Sequence, residues 1–579
     1  MSGANSQQRW GRFVLWAALL VTLAGGLALR LAFLSASHPH VDEYSTIWAA
    51  LQVIEKGVPL LPSGFIYLQG VLFTYLDAAF IALFGFSEWA ARLPSVLLSV
   101  LTIAVVYAGG RRSFGAWFGL MAATLTALAP EAIVWGGRAR MYALQQALFV
   151  LAIYAFWRGY VREEQVSGWR WAFACLFVGA LLSQTITVLA LPALAISLIL
   201  WRASWRQNRR ALWPLVAVAC GVLVALWLNH VGGPVSDTAE RAFVAFSFPW
   251  QPKPAYFFRE YFWSWPSSLR TWLFLAGFIL ILARRTLSIA LTCRGKISDS
   301  SQPSGARTDA RTDLMREGTN ALLYLYAVVA GVLLPMFFLV GESWQRPRYL
   351  IMLQPVVDLL AVGVLWYLFA VFSNLATGFS SYIHSRHVNM DRPSSSMTPG
   401  TASWRRFALG IVMWVCIGAI FLPPAVRAIR PAEPAYDLAF RYVRERWAEG
   451  DSVVGPLPSI PAVYLGRCDG YMLQDGFEEY LVWQNGQPVD RWTGAPLIDS
   501  VEAFERRFGH KSRVWFAVDS TRWQQRYTPE FRQYIEQHMP LVYQAYEVAV
   551  YQYVPKADGR VSPEVLGKVM DTWQNRATD

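Results

Sequence analysis

Long uncharged apolar runs constrain this chain more than any other feature. Residues 13–29, 93–110 and 321–340 contain no Asp, Glu, Lys or Arg, and each is close to the roughly 17–25 residues that a bilayer's hydrocarbon core demands of a helix. Charged residues make up 16% of the 579 and hydrophobic ones 55%, against about 25% charged in soluble proteins. The fold class expected is a polytopic α-helical membrane protein. No small-residue cleavage site follows the first run and further runs come after it, so it reads as a retained helix rather than a signal peptide. The net charge of +12 belongs to the loops, because Lys and Arg favour the cytoplasmic side; a nucleic-acid partner is not expected. The five cysteines show neither a disulfide framework nor zinc spacing.

Charge orients the runs. Arg9 and Arg12 precede the first span, 13–33, and keep the N-terminus inside. That span delivers His38-Pro-His40-Val-Asp42-Glu43-Tyr44 to the outer side. The next uncharged run ends in Arg111-Arg112, an inside signal, so residues 34–92 must form one external loop. Within it, 43–56 has the pattern of a short amphipathic helix, and 65–84 that of a helix lying in the membrane interface. Continued along the chain, the rule gives about eleven spans. Cytoplasmic loops are expected at 284–320 and 374–405, and an outer loop rich in Pro and aromatics at 229–270. Residues 1–425 are expected to form the membrane domain. From 430 to 579 charges become frequent and apolar runs shorten, which predicts a small extracytoplasmic α/β domain. Its expected elements are a helix at 436–449, strands at 452–454 and 514–518, helix starts at Ser500 and Thr528-Pro529, and paired strands within 541–554.

Polar residues collect on the outer side. Asp42 and Glu43, flanked by His38, His40 and Tyr44, have a structural explanation: Asp42 caps the following helix and Glu43 is favoured by its dipole. They have a chemical one too, since one carboxylate can act as general base on an attacking hydroxyl. Against the charge rule, arginines lie outside at Arg92, at Arg138 and Arg140 before Tyr142, and at Arg346 and Arg348 before Tyr349. A single such arginine is explained by snorkelling to headgroups. Two Arg-Tyr pairs at the outer ends of separate spans suit a phosphate, which the planar guanidinium binds bidentately. Ser87 is placed to cap a helix in which Glu88 and Arg92 sit at i, i+4. Asp358, inside a span, is a functional candidate or an arginine's partner. His38, His40, Asp42 and Glu43 are chemically able to ligate a divalent ion, but their spacing is permissive rather than diagnostic.

With these residues in view, the chain resembles the GT-C glycosyltransferases, in the branch that holds protein O-mannosyltransferases, the lipid A aminoarabinose transferase and Rgt-type sugar transferases. The matching residues are Asp42-Glu43 after the first span, then Gly85-Phe-Ser-Glu88 and Arg92-Leu-Pro-Ser95, with Pro130, Arg140-Met-Tyr142 and Pro347-Arg-Tyr349 further on. The resemblance covers about residues 10–370. It implies a polyprenyl-phosphate-linked sugar donor and transfer to an acceptor hydroxyl on a glycan, lipid or protein, at the extracytoplasmic face of the plasma (inner) membrane. It implies that Asp42 is the base, that Glu43 assists it, and that Arg92 closes the first external loop. One departure is plain: where the aminoarabinose transferase has a second important aspartate near the fourth span, this chain has Arg138 and Arg140. No cofactor is expected to be required. The reading from another class is a transporter or flippase of lipid-linked sugars that does no chemistry.

Overall fold

A computed structural model of the chain describes residues 2–162, 167–200, 209–231, 269–280, 283, 310–338, 340, 346–365, 399–430, 433–510 and 513–554. Most of the outer loop expected at 229–270, most of both cytoplasmic loops, the end of the tenth span and residues 555–579 lie outside these.

The helices, in chain order, are α1 (Ser2–Ala36), α2 (Val41–Lys56), α3 (Val71–Phe84), α4 (Glu88–Phe114), α5 (Ala116–Ala127), α6 (Pro130–Gly136), α7 (Tyr142–Phe156), α8 (Gly168–Ser183), α9 (Leu191–Leu200) and α10 (Trp213–Val231). They continue with α11 (Leu269–Leu280), α12 (Ala310–Phe338), α13 (Pro347–Leu365) and α14 (Pro399–Arg427). A helix thus occupies each apolar run read as a span. Six of them, among the described residues, are long and apolar enough to cross a membrane, or up to seven if the bent pair α5–α6 counts as one span. The other helices are shorter than the ~20 residues that cross about 30 Å at 1.5 Å per residue. The 63° bend between α5 and α6 falls where Pro130 starts the second helix. Proline there cannot donate to the preceding turn, and its fixed φ suits the first helical position.

By packing, the chain divides into two units: residues 1–36, 92–229 and 239–430 in one, and 37–91, 230–238 and 431–579 in the other. Hydropathy had assigned the first external loop to the membrane domain. It groups instead with the C-terminal region, because amphipathic pattern reveals that a face is buried but not against what.

The first unit is a helix bundle. Leu29 and Phe33 of α1 pack with Phe118, Met121 and Leu125 of α5, and with Phe421 and Ala425 of α14. Arg30 is wholly buried in α1. Its Nε donates to Ser99 Oγ of α4 at 2.6 Å and its Nη1 to the carbonyls of Gly26 and Ala127 at 2.9 and 3.1 Å. One guanidinium therefore fastens three helices.

The second unit contains α2, α3 and an α/β fold made of α15 (Tyr436–Glu445), α16 (Ser459–Leu465), α17 (Val501–Phe508), α18 (Ser520–Arg526) and α19 (Pro529–His538) with eight strands. The main sheet is ordered β5-β2-β1-β6-β8-β7. β1 (Ser452–Gly455), β2 (Gly470–Met472), β5 (Leu497–Ile498) and β6 (Val514–Asp519) are parallel; β8 (Val548–Tyr553) runs antiparallel to β6 and to β7 (Leu541–Ala545). β3 (Leu481–Gln484) and β4 (Gln487–Asp490) form a separate hairpin. β1 and β6 are buried along their whole length, as central parallel strands are. The expected helix starts are present: Ser500 accepts from Ala503 N and Thr528 from Phe531 N.

The first loop is built onto this fold. Trp48 of α2 donates through Nε1 to the carbonyl of Trp492 at 3.0 Å, and Ser63 donates to that of Arg491. Those carbonyls are presented by a turn organised on the buried carboxylate of Asp490, which accepts from the amides of Trp492, Thr493 and Ala495 at 2.8, 3.0 and 2.8 Å. Tyr464 of α16 donates to Glu88 at 3.0 Å, and its hydroxyl lies 3.5 Å from that of Tyr44.

Candidate functional site

The residues singled out by sequence fall into two groups, one in each unit. In the second unit, His40 is the residue before α2. Its extended backbone (φ −67°, ψ 146°) lets Nδ1 accept from Asp42 N at 3.1 Å, while Glu43 Oε1 accepts from His40 N at 2.8 Å. This is a reciprocal capping box with histidine in the serine position. It corrects the expectation that Asp42 caps the helix. An accepting Nδ1 leaves the ring proton on Nε2. Asp42 is left at the second helical position, its side chain one-third exposed and its Oδ2 3.9 Å from His40 Nδ1. The first turn's unpaired N–H groups and the helix dipole favour an ionised carboxylate there. Glu43 and Tyr44 are wholly buried.

The other members of this group have internal tasks. His38 Nδ1 pairs with Asp437 Oδ1 of α15 at 2.8 Å. Tyr44 and Glu88 meet Tyr464, as described above. Ser87 caps α4, accepting from Ala90 N at 3.1 Å. Among the described residues, no group of three or more His, Cys, Asp or Glu is arranged to hold a metal. One acid was passed over in the sequence. Asp77 of α3 is wholly buried, and neither of its carboxylate oxygens has a hydrogen-bond partner among the described residues. Its only sequence signal is that it shares a helical stripe with Phe73, Thr74, Ala78 and Ile81, the face α3 buries.

In the first unit, the arginines gather on aromatic rings. The Arg138 guanidinium lies over Trp135 at 4.4 Å, and that of Arg348 is 5.9 Å from the same ring and 5.4 Å from Tyr349. Tyr142 meets Trp135 edge-on at 4.8 Å and Tyr349 at 6.3 Å. The two segments are brought together by Gln146, whose amide donates to the carbonyl of Ile351 at 2.8 Å and to Gln354 Oε1 at 3.1 Å. Gln145 ties α7 to Thr187 at 3.1 Å. On the other side, the Gly136-Gly137 turn seats on α1 and α4: a Cβ on Gly137 would come 2.3 Å from Phe33, and one on Gly136 2.5 Å from Ser99 Oγ. Arg92, Arg138 and Arg140 are all buried. Ser95, one turn after Arg92 on α4, hydrogen-bonds the carbonyl of Arg140 at 3.3 Å. Arg346 is exposed, just before the turn that begins α13. Asp358 pairs with Arg270 of α11 at 3.6 Å, and accepts from Thr126 at 3.0 Å and from Gln354.

Guanidinium groups that rest on aromatic rings recognise phosphate by charge and planar geometry, and Arg138 and Arg348 share one ring here. The first unit therefore offers anion-binding chemistry. The second presents a carboxylate at a helix start, suited to taking a proton.

Residues 69–229 match the dolichyl-phosphate-mannose-protein mannosyltransferase family. No curated protein matches the chain in sequence. In structure, the chain is similar to ArnT from Cupriavidus metallidurans in the apo state, at 15% identity and a TM-score of 0.60, covering 96% of this chain and 100% of that one. It is also similar to the same enzyme bound to undecaprenyl phosphate, at 15% identity and a TM-score of 0.53, over 95% and 99% of the two chains. The chain has the GT-C fold, as its resemblance implied, and is an integral membrane protein.

Proposed function

We propose that this chain is a membrane glycosyltransferase that moves one sugar from a polyprenyl-phosphate carrier to an acceptor hydroxyl on a glycan, lipid or protein, at the extracytoplasmic face. The observation that carries this reading is the pair of guanidinium groups, from Arg138 and Arg348, held on the single ring of Trp135. Two segments far apart in sequence are spent on assembling one cationic surface at an apolar span's end. The similar fold of an ArnT structure holding undecaprenyl phosphate supports a lipid phosphate as its ligand.

In the proposed reaction, Asp42 takes the proton from the acceptor hydroxyl. The freed oxygen bonds to the anomeric carbon, and the bond from that carbon to the phosphate oxygen breaks. The bonding electrons leave with the polyprenyl phosphate, whose added charge is met by Arg138, Arg348, Arg140 and Arg92, with Tyr142 and Tyr349 bordering the stacked pair. Arg346 is assigned to the same anion from its place beside Arg348. Preorganised donors of this kind act where charge develops. Glu43 holds the N-terminus of α2 in place through its bond to His40 N, and so orients Asp42. Because arginines supply the countercharge, turnover is expected to survive EDTA.

The test is transfer of a labelled sugar from polyprenyl phosphate by purified protein. Asp42→Asn should lower kcat about 10²–10⁴-fold, the usual contribution of a positioned base. Near-wild-type turnover by folded Asp42→Asn would remove the role assigned to it. Movement of labelled donor across liposomes without its consumption would make the protein a transporter instead.

A further inference from the structure

Asp77 has no task in the reaction as proposed, yet it occupies a position that carboxylates rarely tolerate. It is wholly buried on α3, both oxygens lack hydrogen-bond partners among the described residues, and the helix packed against that face is α2. On α2 the buried acid is Glu43. The buried polar side chains of these two helices are Glu43, Thr46 and Gln52 on one and Thr74 and Asp77 on the other. Thr74 is turned to its own helix, bonding the carbonyl of Gly70, and Thr46 meets Tyr67 at 3.2 Å. An ionised Asp77 would be an unsolvated charge with no donor, close to a second acid. Such groups take up a proton rather than stay charged. Glu43 has what Asp77 lacks, a backbone donor at 2.8 Å.

We propose that Asp77 and Glu43 form a buried acid pair holding one proton, resident on Asp77, and that Asp77 is thereby a positioning residue for Asp42. This rests on the role given to Asp42 above. Ionisation of both acids would set two like charges between α2 and α3 with little solvent to screen them. Repulsion would displace the first turn of α2, which carries Asp42. With the proton on Asp77, Glu43 keeps its charge, its bond to His40 N and the cap. Burial, and then the charge of Glu43, push the Asp77 carboxyl well above its ordinary value of 3.8. Among groups on the helix packed against it, Glu43 is the one that acts on it; Asp42, Tyr44, Glu55 and Lys56 complete the charged and titratable set on α2.

Two measurements on the full-length protein test this. The first is the infrared difference spectrum of wild type minus Asp77→Asn at neutral pH. It should contain the carbonyl stretch of a protonated carboxylic acid; its absence would overturn the proposal. The second is the pH dependence of kcat. Asn keeps the shape and neutrality of the protonated acid, so Asp77→Asn should retain most of the turnover and lose the alkaline fall in kcat that wild type shows when the pair gives up its proton. An inactive but folded Asp77→Asn, an unchanged alkaline fall, or an EDTA-sensitive turnover restored by a divalent ion only when Asp77 is present would each overturn it. If Asp42→Asn kept its turnover, the reaction proposed above would fall while the carbonyl band still reported the acid pair.

Discussion

Trp135 carries two guanidinium groups at once, so its replacement should act on donor binding rather than on chemistry. A cation on an aromatic face contributes about 0.5–2 kcal/mol. Trp135→Leu removes both contacts and should raise the donor KM about tenfold or more, with a smaller change in kcat, while Trp135→Phe recovers part of the loss. A fall confined to kcat would show that the ring serves some other step. The arginines themselves were legible in the sequence, because they break the positive-inside rule. Trp135 was not, since an aromatic at a span's end reads equally as an interface belt. Asp77 was hidden for a related reason: one acid in an apolar helix looks like an interruption until its partner helix is known. Elsewhere a carboxylate shifts the opposite way. Burial works to raise the Asp451 carboxyl, but hydrogen bonds from Arg513, Trp515 and the Ala448 amide outweigh it and hold it below its ordinary 3.8. A lowered folded value stabilises the protein above the unfolded value and is lost as pH falls through the folded one. Asp451→Asn should therefore lower the Tm at neutral pH, in line with about 1.5–3 kcal/mol for bonds to a charged group. The gap from wild type should close in acid, below about 3.8. A gap that is constant with pH would deny the ionised carboxylate its part.

At the scale of elements, the glycines of α1 and of the turn before α7 separate propensity from packing. Gly25 has open space where a Cβ would go, whereas one on Gly137 would meet Phe33 at 2.3 Å. Gly25→Ala should leave the Tm unchanged or raise it, through a stability gain of up to about 1 kcal/mol of helix preference. Gly137→Ala should lower the Tm through a stability loss of about 1–3 kcal/mol, the usual cost of overpacking, and weaken donor binding because Arg138 follows directly. Equal effects from the two would mean that the turn can shift off α1 at no cost. Elements set by local chemistry were readable beforehand: the apolar runs, the caps at Ser500 and Thr528, and the buried strands at 452 and 514. The start of α2 was misread at its cap. Aspartate ranks among the preferred capping residues, so Asp42 was the natural choice. The histidine succeeds here because Glu43 completes the box from the third position.

For the whole molecule, what sequence could not supply is which distant segments pack together. β1 lies between β2 and β6 in the sheet, and no local pattern encodes that. Nor does any pattern reveal that the loop bearing Asp42 and Glu43 is held by the C-terminal fold. That loop is tied by His38 to Asp437, Trp48 to Trp492, Ser63 to Arg491 and Glu88 to Tyr464. Each of these bonds joins residues more than 370 positions apart, so none can form before the chain has been made as far as Asp437. The C-terminal fold is then part of what shapes the first loop, rather than a module appended to an already finished one. A chain ending at Arg430 should still insert its spans, since those helices pack in the other unit. Its first loop should lose the face that buries Trp48 and Tyr44, become open to protease between residues 37 and 91, and support no sugar transfer although Asp42 and Glu43 are both present. Tyr464→Phe is the finer version: it deletes one hydroxyl, and with it the donor to Glu88. It should cost about 0.5–1.5 kcal/mol, the net worth of a typical hydrogen bond, because the acceptor is only half-buried, with a partial loss of kcat. A truncated chain that kept its activity and resisted protease in the first loop would show that the loop folds without the sheet.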